Sequence, residues 1–92
     1  MPLVTTNEML KKAQAGHYAV GAFNVENMEM VMAVIKAAEE MNSPVIMQTT
    51  PSTVKYAGLD YYLAMVRTAA ERASVPVAIH LDHGIPTLST AR

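Results

Sequence analysis

Three short apolar segments recur along the chain, YAVGAFN at residues 18–24, VIMQTT at 45–50 and VPVAIHL at 75–81. Stretches with helical periodicity lie between them. Equivalent points are roughly 25 to 32 residues apart, the length of one strand plus one crossover helix. Units of this kind lay consecutive strands side by side in parallel, with right-handed crossovers. The chain is therefore expected to be α/β, built from two successive βαβ units. Three such strands can open either a doubly wound sheet or an eightfold barrel, and the local pattern does not separate the two.

The helical stretches carry their own signals. Thr5-Thr6-Asn7-Glu8 has the form of a capping box, with Val4 and Met9 spaced as a hydrophobic staple across it. Gly16 is expected to end this first helix in the left-handed conformation. A second helix over residues 26–41 places Met28, Val31, Met32, Ile35 and Ala38 on one face. Asn42-Ser43-Pro44 breaks it. Residues 51–58 read as an irregular connection with room for one helical turn. Asp60 is expected to cap a third helix reaching Ala73, with Tyr62, Val66, Ala69, Ala70 and Ala73 inward. Residues 87–92 read as the opening of a further helix.

With 92 residues, 51% of them hydrophobic, the chain makes at most one small domain that expects to bury a core. A net charge of −1 supplies no broad positive field for nucleic acid or anionic lipid. Phosphate recognition by a few placed groups needs no such field. The absence of cysteine removes disulfides and thiolate zinc sites, so any metal must rely on His, Asp or Glu. No apolar run approaches the roughly 20 residues that span a bilayer. The opening Met1-Pro2-Leu3-Val4-Thr5 lacks the basic region and apolar stretch of a secretory signal. These features predict a cytoplasmic protein without membrane or nucleic-acid partners. The eight methionines are expected to pack in core faces.

Polar residues inside strands of a parallel sheet ask for a reason, because both faces are ordinarily covered. Here they gather at the carboxyl ends: Asn24 on the first strand, Gln48 and Thr50 on the second, His80 and Asp82-His83 on the third. Parallel α/β folds build their active sites at those ends. Each residue also has a plainer reading. Asp82 suits a helix cap, His83 a solvated loop, His80 a hydrogen-bonded interior position, and Asn24 and Thr50 are ordinary strand ends. His17 sits in a turn and carries no assigned chemistry. The first βα turn, Asn24-Val25-Glu26-Asn27, is not the glycine-rich loop of a dinucleotide site. A serine nucleophile elbow is absent as well, and no lysine stands at a strand end where a Schiff base would form.

Taken together, the opening Met-Pro-Leu-Val-Thr-Thr, residues 18–25, Ser43-Pro-Val-Ile46 and above all Val77-Ala-Ile-His-Leu-Asp-His-Gly84 resemble the amino-terminal third of class II, metal-dependent ketose-1,6-bisphosphate aldolases. The resemblance runs from Met1 to about Gly84. It implies that residues 1–92 are the amino-terminal segment, about three βα units, of a single (β/α)8 TIM barrel. It also implies Zn2+ as cofactor, with His83 as the first of three histidine ligands and Asp82 as the acid/base exchanging a proton with the C4 hydroxyl. Asn24 and Thr50 would stand near the dihydroxyacetone-phosphate portion of substrate, and His80 would support the site without binding metal.

These residue types suit the reaction. Retro-aldol cleavage removes the C4 hydroxyl proton while negative charge develops on the C2 oxygen, and zinc is the Lewis acid for that charge. Three neutral imidazoles leave a zinc position open to substrate oxygens, and a carboxylate within hydrogen-bond reach accepts the proton. The implied activity is reversible cleavage of fructose- or tagatose-1,6-bisphosphate to two triose phosphates, by a homodimer or homotetramer when complete. Thr50-Pro51 leans towards tagatose-type members. Ile85-Pro86-Thr87 departs from the family's usual polar or acidic residue and aromatic, so a local change is expected in that loop. Alone, the 92 residues are expected to be inactive and marginally folded, since one histidine cannot hold catalytic zinc and the sheet edges stay open. The alternative is a non-catalytic small α/β or partial-barrel binding module that retains the motif.

Overall fold

The computed structural model describes residues 3–81. Its elements run α1 (Thr6–Gly16), β1 (Gly21–Asn24), α2 (Met28–Glu40), β2 (Val45–Thr49), α3 (Pro51–Ala57), α4 (Leu59–Arg72) and β3 (Val77–Leu81). The strands form one parallel sheet in the order β1-β2-β3, so the predicted βαβ architecture holds. The helix expected over residues 87–92 and the loop change at 85–87 lie outside the described residues.

The register sorts side chains onto two faces. Gly21, Ala22, Phe23 and Asn24 pair with Val45, Ile46, Met47 and Gln48, and Val45 to Thr49 pair with Val77 to Leu81. Because Cβ atoms alternate, Val45, Met47, Val77 and Ile79 share one face. There they pack with Val31, Ala38, Tyr62, Val66 and Ala70 of α2 and α4 in the main core. The other face carries Ile46 and Ala78, covered by Met9 of α1 with Val4 and Val20. Fully burying an aliphatic side chain contributes roughly 1.5–3 kcal/mol, so the helix-covered face dominates stability.

Caps explain the helix starts. The Glu8 amide donates to Thr5 Oγ1 at 3.1 Å. The Glu8 carboxylate accepts from the Thr5 hydroxyl at 3.2 Å, a variant of the box in which the carboxylate meets the hydroxyl. The second helix begins at Met28, later than expected, because Asn27 caps it: the Met30 amide donates to Asn27 Oδ1 at 2.9 Å.

Several expectations need correction. The left-handed residue after α1 is His17, at φ 59° and ψ 46°, with the Tyr18 amide donating back to the Ala13 carbonyl at 3.0 Å. Gly16 serves another purpose: a Cβ there would stand 2.6 Å from Tyr18 Cε2, so its bare backbone accommodates that ring. This redirection delays β1 to Gly21. Similarly, Val75 is buried but precedes the β3 ladder, which begins at Val77. Residues 51–57 form a helix instead of an irregular connection, with Pro51 at its start where a missing amide proton does no harm. Gly58, at φ 89°, is the cap of α4 and offers no side-chain bond. Asp60 falls within the first turn and complements the helix dipole there.

The methionines divide. Met9 and Met47 are buried, but Met28, Met30, Met32 and Met41 are exposed, Met32 to 62%. The inward stripe of α2 is Val31 and Ala38, with Val34 and Ile35 partly buried beside them. Met28 and Met32 lie on its flank, with nothing over them among the described residues.

Candidate active-site rim at the strand carboxyl ends

The parallel register brings Asn24, Gln48 and His80 into one row, each the Cα partner of the next. Neighbouring strands lie about 4.8 Å apart, so the row spans on the order of 10 Å. It stands on the α1-covered face, two residues beyond Ala22, Ile46 and Ala78, at the carboxyl end of every strand. Asn24 and His80 are exposed and Gln48 is half-buried. Below the row the face is apolar and sealed, and at the row it turns polar and open.

Thr50 follows β2 directly, and its hydroxyl shares a 3.0 Å hydrogen bond with Ser52 on α3. The structure therefore gathers three of the expected site residues, Asn24, Thr50 and His80, at one rim. His80 is the most accessible of the β3 residues whose exposure is described, rather than a deep interior group. Asp82 and His83, expected as proton carrier and metal ligand, lie outside the described residues.

Two features had weaker signals in the sequence. Gln48 read only as a strand-end polar residue until the register set it between Asn24 and His80. A recess of about 370 Å3 beside the rim is lined by Glu26, Asn27, Ser52 and Tyr56. Its walls come from the β1–α2 turn and from α3, and mistaking α3 for irregular chain hid it.

Behind the rim, Tyr62 is the largest fully buried side chain. Burial pushes its hydroxyl up to about 12, the nearby Thr49 hydroxyl offsetting part of that rise. Thr49 is not aligned as its bonding partner. Its hydroxyl is directed to the Thr50 carbonyl at 3.5 Å, and the Tyr62 oxygen has no hydrogen bond among the described residues.

Three or more His, Asp or Glu side chains do not come together among the described residues. The donor set therefore fits a metal ion only in part: this segment offers imidazoles and no thiolate, and a closed site needs ligands from elsewhere. None of the described helices is long and apolar enough to cross a membrane.

An α/β segment of three parallel strands with a polar rim at their carboxyl ends defines the beginning of a barrel-type enzyme fold. The model of the class II fructose-bisphosphate aldolase family matches residues 4–91, and the chain belongs to that family. It is 52% identical over 82 residues to a fructose-bisphosphate aldolase of Thermus caldophilus. It is 49% identical over 83 residues to one of Helicobacter pylori strain 26695. Each match takes in 89% of this chain and 27% of the relative, so the chain spans about a quarter of their length. Among solved structures, the YdjI aldolase of Escherichia coli K12 superposes with a TM-score of 0.86 at 37% identity, over 97% of this chain and 36% of that one. A fructose-bisphosphate aldolase of Campylobacter jejuni gives 0.76 at 28% identity, over 96% and 29%. The fold is thus the amino-terminal part of a (β/α)8 barrel, which resolves the choice left open by the strand pattern.

Proposed function

We propose that residues 1–92 are the first part of a zinc-dependent class II aldolase that reversibly cleaves fructose-1,6-bisphosphate into dihydroxyacetone phosphate and glyceraldehyde 3-phosphate. The observation that carries this is the polar row Asn24-Gln48-His80 at the strand ends, in a chain whose family model runs to residue 91. The names of the matched relatives favour fructose over tagatose bisphosphate.

Asn24 and Thr50 orient the dihydroxyacetone-phosphate portion by hydrogen bonding. Asp82, one position past β3, exchanges a proton with the C4 hydroxyl. His83 supplies one imidazole to zinc, the remaining ligands coming from later strands. Bound zinc would supply Lewis-acid stabilisation of charge on the ketose carbonyl oxygen. His80 supports the rim without ligating metal. The complete protein works in the cytoplasm as a homodimer or homotetramer, and the 92-residue chain alone is inactive.

The test joins metal content to turnover in the full-length protein. EDTA treatment should abolish cleavage and zinc should restore it, while His83→Ala should lose bound zinc. Full activity in the metal-free protein would refute the mechanism. A binding module that merely retains the motif would instead show zinc-independent ligand binding and no cleavage in either state.

A further inference from the structure

We propose that the open edge of β1 and the apolar groove beside it are a docking face for the last strand–helix unit of the full-length polypeptide. This rests on the reading of the chain as the first part of a longer aldolase. The two outer edges of the sheet are treated differently. At β3, Leu3 bridges Val77, with the Val4 amide donating to the Val77 carbonyl at 2.9 Å. At β1, residues Gly21–Asn24 pair with β2 on one side, and nothing among the described residues pairs on the other.

Beside that edge lies a groove of about 510 Å3, lined by Gly21, Phe23, Ala33, Ala37, Met41 and Pro44 among others. Its floor is fixed by a glycine–aromatic pair. A Cβ on Gly21 would stand 2.6 Å from Phe23 Cε2, so the ring lies flat across bare backbone. Its wall is the flank of α2 where Ala33 and Ala37 sit one turn apart. Such small residues let a neighbouring helix approach at the short end of the usual 8–10 Å separation. The one hydroxyl in the lining, that of Ser43, donates to the Pro44 carbonyl at 3.3 Å. The face therefore presents apolar surface above an unpaired strand. That combination fits a parallel strand against Gly21–Asn24 with an apolar helix above it.

The relatives' length identifies the occupant. The matched segment is 27% of each relative, so most of the polypeptide follows it. Closing a parallel barrel brings the last strand against the first. A partner in the same polypeptide also acts at millimolar effective concentration. A second copy offers only the β3 edge, whose first rung Leu3 already holds.

The experiment joins the whole 92-residue chain to the remaining carboxyl-terminal part of the Thermus caldophilus aldolase. The chain contains no cysteine, so Ala37→Cys is a single reporter within it and Lys36→Cys a control on the solvated side of α2. Alkylation rates are followed by peptide mass spectrometry in the free chain and in the chimera. The expected result is at least tenfold slower reaction at position 37 in the chimera, with position 36 unchanged. Equal rates at 37 would overturn the proposal, and so would an insoluble chimera. Concentration-dependent protection in the free chain, with a dimer mass, would also overturn it by making a second copy the occupant. Protection at 37 in a chimera without aldolase activity would support the docking face and count against the proposed function.

Discussion

The two ends of the sheet are built on opposite plans. At the amino ends the chain closes on itself. Val4 reaches Val77, the Val45 amide donates to the Pro76 carbonyl at 3.1 Å, and Glu39 at the foot of α2 accepts from the Ser74 amide at 2.8 Å. At the carboxyl ends, Asn24 and His80 stand exposed and Gln48 half-exposed, without apolar cover. In barrel enzymes the first end serves stability and the second chemistry. Substitutions should accordingly divide into those that move turnover at constant stability and those that do the reverse.

The largest expected effect falls on the chemical end. In the full-length protein, Asp82→Ala should lower kcat by about 10²–10⁴-fold with zinc content and melting temperature held. Normal turnover in that variant would break the comparison at its strongest point. Beneath the rim, Met47→Ala empties a fully buried position and should cost roughly 2–5 kcal/mol of unfolding free energy, read by urea denaturation. A loss below 1 kcal/mol there would mean that the helix-covered face is not the main source of stability.

Tyr62 gives an intermediate effect with a pH signature. Its raised value means that the folded state favours the neutral phenol. The associated stability is fully present below pH 10 and is lost as pH rises towards about 12. Wild type should fall relative to Tyr62→Phe by up to about 2 kcal/mol across that window. Parallel curves for the two proteins would remove the burial argument. The smallest effect is Thr5→Ala, which deletes the α1 cap and should cost about 1 kcal/mol with kcat/KM unchanged. A change in kcat/KM would show that the sealed end communicates with the rim.

The strand order and both sheet faces were legible because alternation and helical spacing are written directly in residues such as Val45-Ile46-Met47 and Tyr62-Val66-Ala70. The rim was legible in part. Asn24, Thr50 and His80 are conspicuous as polar residues in apolar segments, but the place of Gln48 depends on inter-strand register, which no local pattern encodes. Boundaries were missed where a single residue had two competing uses. Gly16 looked like the left-handed residue yet is needed bare for the Tyr18 ring. His17 takes that conformation instead, at a cost of about 1–2 kcal/mol. The methionines of α2 were assigned inward on periodicity, whereas Met32 and Met41 lie on flanks whose cover is not determined by these residues alone.

The pairing of each strand with its immediate successor has a consequence in time. In the full-length protein, the sheet and its main core are complete once Leu81 has left the ribosome, with roughly seven-tenths of the relatives' length still to be made. At about 5–20 residues per second, the β1 edge and the Phe23 ring stay uncovered for on the order of tens of seconds. Every nascent chain therefore passes through an interval in which a four-residue strand edge is open to the wrong partner. The brevity of that edge limits how firmly such a partner can hold.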